Sequence, residues 1–330
     1  MGEESGIVQR LQLSPRLAMS RVATASDPDA SRVCAVIVTY GPDPVLLQRV
    51  VDSVLQQVGH LVVFDNGSAT VDVAAMVGDR AGVSLVASPH NVGLGCALNR
   101  AYEKADALGF DHVLLMDQDS VLAPGMVDVL WTALVELART GPVAAVGPQF
   151  RDSRSGVLAP FVRFGFPFNH KLRGGPGQRV SCDFLITSGS LVPMKALREI
   201  GPMDEGLFID NLDMDWCFRA KRAGYALYGI CDAQMSHSIG EELLPSRAKP
   251  DGVIVHKPFR LYFIMRNRVL LYTRAYTPRV WVAQDIPRLL LKLVGNGLFL
   301  APRRVRLRFM LKGLWDGMRG VTGGLPPGSR

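Results

Sequence analysis

The first third of the chain carries its apolar residues in continuous runs rather than in strict alternation. RVCAVIVTY (32–40) is a β-branched run that predicts a strand buried on both faces of a parallel sheet. Asp43 and Pro44 follow as a cap and first-turn pair, predicting an amphipathic helix to about Gln57. HLVVFDNGS and GVSLVAS predict a second and a third strand. NVGLGCALNRAYEKADALG predicts a loop running into a helix closed by Gly109, and DHVLLMDQD a fourth strand. This alternation predicts an α/β fold with a doubly wound, mostly parallel sheet and a ligand cleft beyond the carboxyl ends of its strands. Thr39, Asp65, Asn66, Asn91, Asp117 and Asp119 all fall at that edge.

Beyond Gly147 the pattern loses its regularity. FVRFGFPFNHKLRGGPGQ reads as loops or a lid, CDFLITSGSLVPM returns to strand character, FIDNLDMDWCFRAKRAG reads as a short helix ended by Gly224, and YALYGI as a strand. From Asp285, apolar residues at Ile286, Leu289, Leu290, Leu293, Val294 and Leu298 recur at helical spacing with Arg288 and Lys292 opposite. The arginine-dense PRRVRLRFMLKGLW follows. Four segments result: a flexible leader (1–31), two halves of one α/β domain (32–125 and 126–255), and a basic helical segment (256–330).

Composition adds compartment and partner. With 48% hydrophobic and 20% charged residues over 330 positions, the chain is a folded protein with an ample core. Its five cysteines form no CxxC and no zinc spacing, which suits a reducing compartment. Neither a secretory signal nor a membrane span is predicted. Charge is uneven: residues 257–330 hold 15 Lys or Arg against two acids, whereas the preceding residues hold 22 against 28. A basic tail on an acidic body predicts either a helix packed on the domain with a solvated face or docking on an anionic membrane surface. Nucleic acid is disfavoured, since no module for it accompanies the charge.

The candidate chemistry starts at Asp117 and Asp119. Two carboxylates at this spacing, where a strand breaks, read either as a solvated strand end or helix cap, or as a place where a hard cation such as Mg2+ or Mn2+ sits between them and a phosphate and relieves their repulsion. A dinucleotide-binding GxGxxG turn is missing after the first strand, and the later Gly93 and Gly95 lack the last glycine. Asp65, in the turn-forming DNGS, could accept hydrogen bonds from a base or ribose. In the acidic segment 201–220, helical spacing puts Asp213 with Trp216, Cys217 and Ala220 on the inward face, and Asp215 with Arg219 and Arg222. The helix dipole would favour ionised Asp213, as a general base requires. His237 alone reads as a structural histidine.

VTYGPD, VVFDNGS, NVGLGCALNRA, VLLMDQDS, TSGSLV, GPMDEGLFIDNLDMDWCFRAKRAGY, SHSIGE and HKPFRLYFIMRNRVLLYTR, in collinear order from about Val33 to Arg274, together resemble the bacterial rhamnosyltransferases of glycosyltransferase family 2. The resemblance implies a GT-A fold with a nucleotide-sugar cleft. It implies an inverting, metal-dependent transfer of L-rhamnose from dTDP-β-L-rhamnose to a saccharide hydroxyl. Asp119 would be the main metal carboxylate, assisted by His237. Asp117 would face the ribose or the metal, Asp65 the pyrimidine, and Asp213 would be the base. Thr39, Tyr40, Asn66, Asn91 and Gly93 would form the nucleotide pocket, while Trp216, Ser188, Gly189 and Asp215 would border the acceptor. The acceptor would be a polyprenyl-diphosphate-linked saccharide of surface polysaccharide synthesis, met at the cytoplasmic face of the membrane by a peripheral enzyme and possible homo-oligomer. Transfer of another sugar, such as galactofuranose, and a non-catalytic nucleotide-sugar-binding scaffold are the rival readings.

Overall fold

The computed structural model describes residues 30–237, 242–246 and 249–325. The leader expected over 1–31 thus lies outside the described residues except for its last two.

The strand runs and helix caps form where their patterns place them. β1 (Val33–Thr39), α1 (Pro44–Leu55), β2 (His60–Asp65), α2 (Val73–Val77), β3 (Val83–Ala87), α3 (Leu94–Ala107) and β4 (His112–Asp117) alternate in order. The Asp43 side chain accepts from the Leu46 amide at 2.9 Å, satisfying one of the free donors at the start of α1. The chain continues through β5 (Val121–Leu122), α4 (Met126–Ala138), β6 (Val143–Asp152), β7 (Phe161–Arg163), β8 (His170–Leu172), β9 (Arg179–Cys182) and β10 (Leu191–Pro193). It then runs through α5 (Met194–Ile200), α6 (Leu212–Arg222), β11 (Ala226–His237), β12 (Glu242–Ser246) and β13 (Lys249–Val255), and ends in α7 (Pro258–Tyr272), α8 (Arg279–Phe299) and α9 (Arg303–Met318).

The central sheet runs β3-β2-β1-β4-β10-β6-β11-β5, with β9 also on β11. β1, β2, β3 and β4 are mutually parallel, β10 is antiparallel to β4 and β6, and β11 is parallel to β6. One core packs on each face: Val36, Phe64 and Leu115 lie with α3 and α6 on one side, and Ile37, Val63 and Met116 with α1 and α4 on the other. Burial on both faces is why these strands carry no polar alternation.

Three expectations need correction. The segment read as loops or a lid contains the antiparallel hairpin β7–β8, a small sheet of its own. The strand β6 runs through Gly147 and Pro148, where the sequence looked irregular. YALYGI is only the first half of β11, whose far end delivers His237 to the sheet edge.

The C-terminal helices are packed on the domain through α7. Gly313 and Gly317 of α9 let the two helices meet backbone to backbone, since a Cβ would stand 2.3 Å from the Tyr262 carbonyl oxygen and 2.8 Å from that of Arg266. The stripe predicted from Asp285 is divided: Leu289 is buried and Leu293 packs beside it, whereas Ile286, Leu290, Val294 and Leu298 face solvent. Helix α8 also begins earlier than its pattern suggested, at Arg279.

Candidate active site

β4 ends at Asp117, and the chain then turns so that β5 can pair with the end of β11, Ser236 opposite Val121. That pairing brings residues 120 positions apart in sequence to one point. Asp117, Asp119 and His237 each offer a ligand atom within 4.8 Å of the others. His237 Nε2 lies 4.0 Å from Asp117 Oδ2, and Nδ1 lies 3.7 Å from Asp119 Oδ1.

The histidine is fixed from behind. The Asp117 amide donates to Ser188 Oγ at 3.1 Å, Ser188 Oγ donates to Ser120 Oγ at 2.8 Å, and Ser120 Oγ shares a 2.7 Å hydrogen bond with His237 Nδ1. Phe150 packs edge-on against the ring. A hydroxyl holding Nδ1 leaves Nε2 for a ligand, the arrangement that orients metal-binding histidines. Asp119 Oδ1 is buried without a hydrogen-bond partner, an arrangement that costs about 1–3 kcal/mol if nothing occupies it. Burial first, and then the Asp119 charge, push the Asp117 carboxyl up, while His237 and Arg260 oppose the rise. These three residues therefore fit a hard divalent cation.

A cavity of about 540 Å3 opens beside this cluster, lined by Tyr40, Asn66, Asn91 and Gln118 from the strand ends and by Phe208, Ile209, Lys257 and Arg260 from later in the chain. Gln118 accepts from the Tyr40 amide at 2.8 Å, tying β4 to the end of β1. Asn66 donates to Asn91 at 3.2 Å and accepts from the Val92 amide at 2.8 Å, closing the loop before α3. Gly93 has φ +89°, and a Cβ there would sit 2.6 Å from the Phe208 ring. Asp65 faces an adjoining depression with Ser68, Ala69 and Thr70. Thr39 lines neither space; it is fully buried and donates to Asp65 Oδ1 at 3.1 Å.

Asp213 opens α6 with its own backbone turn under unusual control. Phe208, Asp210 and Asn211 all have φ near +65°, a region costly for residues other than glycine. Two fully buried side chains of α7 hold the turn: Asn267 donates to the carbonyls of Leu207, Ile209 and Asp210, and Arg266 to those of Gly206 and Leu207. Arg260 pairs with Asp210. Burial pushes the Asp213 carboxyl up to about 7, with the Asp117 and Asp210 charges adding to the rise and the Met214 amide opposing it. The helix dipole thus does not win here; desolvation does.

Four residues expected at the acceptor are interior. Asp215 is fully buried and spends both oxygens, one accepting from Arg274 at 2.7 Å and Tyr276 at 2.6 Å, the other from Arg219 at 3.0 Å. Trp216 is buried and donates to the Gly201 carbonyl at 3.0 Å. Ser188 supports the Asp117, Asp119 and His237 group from behind, and Gly189 packs against Pro148 and Met235. Arg274→Met is accordingly expected to destabilise the fold by about 2–4 kcal/mol, because Asp215 stays buried with half its neutralising charge gone. Urea unfolding of the variant measures this directly, and a loss below about 0.5 kcal/mol would be inconsistent with it.

Sequence reasoning missed Lys257, Arg260, Arg266, Asn267 and Phe208. All lie in stretches quoted for the resemblance, but no local pattern shows that α7 folds back across the acidic turn.

A family model described as glycosyl transferase family 2 matches residues 34–201. The dTDP-rhamnosyl transferase RfbF of Shigella flexneri is 27% identical over 299 residues, covering 89% of this chain and 98% of its own length. The N-acetylglucosaminyl-diphospho-decaprenol L-rhamnosyltransferase of Mycobacterium tuberculosis is 27% identical over 233 residues, covering 61% and 74%. The structure of S. aureus TarS residues 1–349 in complex with UDP-GlcNAc superposes with a TM-score of 0.55 at 14% identity over 88% of this chain and 81% of that one, a likeness of fold.

Proposed function

The chain belongs to glycosyl transferase family 2, and from that membership we propose that it is an inverting rhamnosyltransferase, using dTDP-β-L-rhamnose and a lipid-linked saccharide acceptor. The observation that carries this reading is the convergence of Asp117, Asp119 and His237 at the strand ends, next to a cavity of about 540 Å3 and within electrostatic reach of Asp213. The names of the two relatives support the sugar, and that of the Shigella flexneri dTDP-rhamnosyl transferase supports the nucleotide.

The division of labour follows from position. Tyr40, Asn66 and Asn91 border the nucleotide, and Asp65, steered by Thr39 and Ser68, lies where a base edge can be met. Asp117, Asp119 and His237 would hold Mg2+ or Mn2+, which when bound neutralises charge developing on the departing diphosphate. Asp213 takes the proton of the acceptor hydroxyl. The freed oxygen then forms its bond to the anomeric carbon as the bond to the diphosphate breaks, turning a β-linked donor into an α-linked rhamnoside. A base titrating near 7 is well matched to this task at neutral pH.

The acceptor reading takes support from the C-terminal helices. α8 turns Leu290, Leu291, Val294, Leu298 and Phe299 to solvent and α9 turns Leu311, Trp315 and Met318, with exposed Arg303, Arg304, Arg308 and Arg319 among them. No helix among the described residues is long and apolar enough to cross a membrane. An apolar surface edged by arginine fits the boundary of an anionic bilayer, where a peripheral enzyme would meet a polyprenyl-diphosphate-linked saccharide on the cytoplasmic face. The variant Leu291→Glu/Leu298→Glu/Trp315→Glu should bind phosphatidylglycerol vesicles at least about tenfold more weakly than wild type in a flotation assay, with turnover of a water-soluble acceptor preserved. Equal flotation of the two proteins would remove the membrane part of the proposal.

A further inference from the structure

The two basic residues of the α8 stripe do not lie on a solvated face. Arg288 and Lys292 stand one turn apart on the side of α8 that carries the buried Asp285 and Leu289, and both are half-buried. Neither has an ion-pair partner among the described residues. The acids around Lys292 are already spent. Asp285 accepts from Tyr272 at 2.6 Å and pairs with Arg268 at 3.3 Å, and both oxygens of Asp210 accept from Arg260. Burial first, and then the Arg268 charge, push the Lys292 ammonium down to about 8, with Arg260 adding to the fall and Asp210 and Asp285 opposing it. Three cations therefore act at this point against two carboxylates. Arg268 also keeps a donor idle, its Nε buried with no hydrogen-bond partner. A lysine held out of water without a counter-ion destabilises the fold, and an anion reaching it would restore the balance.

Its place in the molecule says which anion. On one side, Lys292 feels the charge of Asp210, and Asp210 in turn acts on Asp213, so the lysine stands beside the turn that carries the base. On the other side, its neighbour Leu291 is exposed, and Val294 and Leu298 continue the apolar surface along the same helix. The order is thus a proton acceptor, a surplus of positive charge, and an apolar face. A saccharide joined through a diphosphate to a polyprenol has its hydroxyls, its negative charge and its hydrocarbon in that same order.

We propose that Lys292, with Arg288 one turn before it and Arg268 beside it, receives the diphosphate of the lipid-linked acceptor and so sets the saccharide against Asp213. This rests on the acceptor being lipid-linked through a diphosphate, and not on the identity of the donor. α8 then does two things at once: its outer face meets the hydrocarbon and its inner face reads the charge where the hydrocarbon ends. The same phosphate chemistry is offered by anionic lipid headgroups, and the experiment separates the two.

The test is calorimetric titration of the full chain, with Mg2+ and dTDP present to fill the donor side, using N-acetylglucosaminyl-diphospho-farnesol and the farnesyl glycoside of N-acetylglucosamine, which lacks the diphosphate. Wild type should bind the first at least about tenfold more tightly. Lys292→Met and Lys292→Gln/Arg288→Gln are expected to weaken that binding about 10- to 100-fold while leaving the glycoside within about threefold, and Lys292→Arg should retain the preference. Lys292→Met removes a desolvated charge and keeps the apolar stem, so it carries the test if the double variant fails to fold. Flotation on phosphatidylglycerol vesicles should be unchanged in Lys292→Met. Weakened flotation with undiminished binding of the diphosphate probe would assign these cations to lipid headgroups and overturn the proposal. A wild-type preference for the diphosphate that survives in Lys292→Met overturns this site and leaves the lipid-linked acceptor standing; a wild type that binds both probes equally, or neither, removes both.

Discussion

Asp213→Asn is expected to lower kcat for rhamnose transfer by about 10²–10⁴-fold while leaving the affinity for dTDP within about threefold of wild type. The amide keeps the shape and the hydrogen bond from the Met214 amide at 2.8 Å to the retained oxygen, but cannot take the acceptor proton. The wild-type enzyme should show a rising acid limb in kcat/KM, because a base pushed up to about 7 by burial is mostly protonated below that pH. A cation held at Asp117 would remove part of the repulsion on Asp213, so the limb is expected to move down in pH when the metal is bound. The same shift has a stability consequence of opposite sign. A carboxyl whose pKa is higher folded than unfolded stabilises the fold relative to its ionised form at low pH, and that contribution is lost as pH rises from about 4 through 7. Asp213→Asn should therefore match wild type in Tm near pH 4–5 and exceed it at pH 8. A variant that is inactive and less stable at pH 8 would mean that Asp213 is structural.

Asp119→Ala is the second large effect. Its Oδ1 is buried without a partner, so the residue costs stability in the empty site and regains it only with a cation. The wild-type protein is expected to gain Tm on adding Mn2+, and the substitution should abolish that gain and lower turnover by about 10²–10³-fold. A chelator should silence the wild type to a similar degree, with recovery on adding Mg2+ or Mn2+. His237→Ala should follow Asp119→Ala in metal affinity but less severely, since two carboxylates remain. Full activity in chelator, or an unchanged metal-induced shift in Asp119→Ala, would separate this cluster from metal binding.

Much of the sheet was legible because burial on both faces writes itself as uninterrupted Val, Ile and Leu, and because Asp43 and Gly224 punctuate helices in the usual way. The strand β6 was not, since Gly147 and Pro148 break the apolar run even though neighbouring strands still pair with it. The strand-end acids were visible as a set, and the edge they share is where Asp117 and Asp119 stand.

What could not be read was the direction in which α6 faces. Trp216, Cys217 and Ala220 do point inward, yet the deepest acid is Asp215, because Arg274, 59 residues further on, comes to meet it. Likewise, nothing in a run such as FIDN announces three residues in left-handed conformation. That backbone exists because Arg266 and Asn267 cap its carbonyls from another helix. Long-range polar anchors of this kind leave no periodic trace, and they decide where Asp213 stands.

The central assignment is donor and product together. The purified chain, with Mg2+ or Mn2+ and a synthetic N-acetylglucosaminyl-diphospho-polyprenol, is offered a panel of nucleotide sugars and the products are resolved by mass spectrometry and NMR. Transfer of a single deoxyhexose from dTDP-β-L-rhamnose alone, in α linkage, is the expected result. Transfer of a different sugar, or retention of the β configuration, would contradict it.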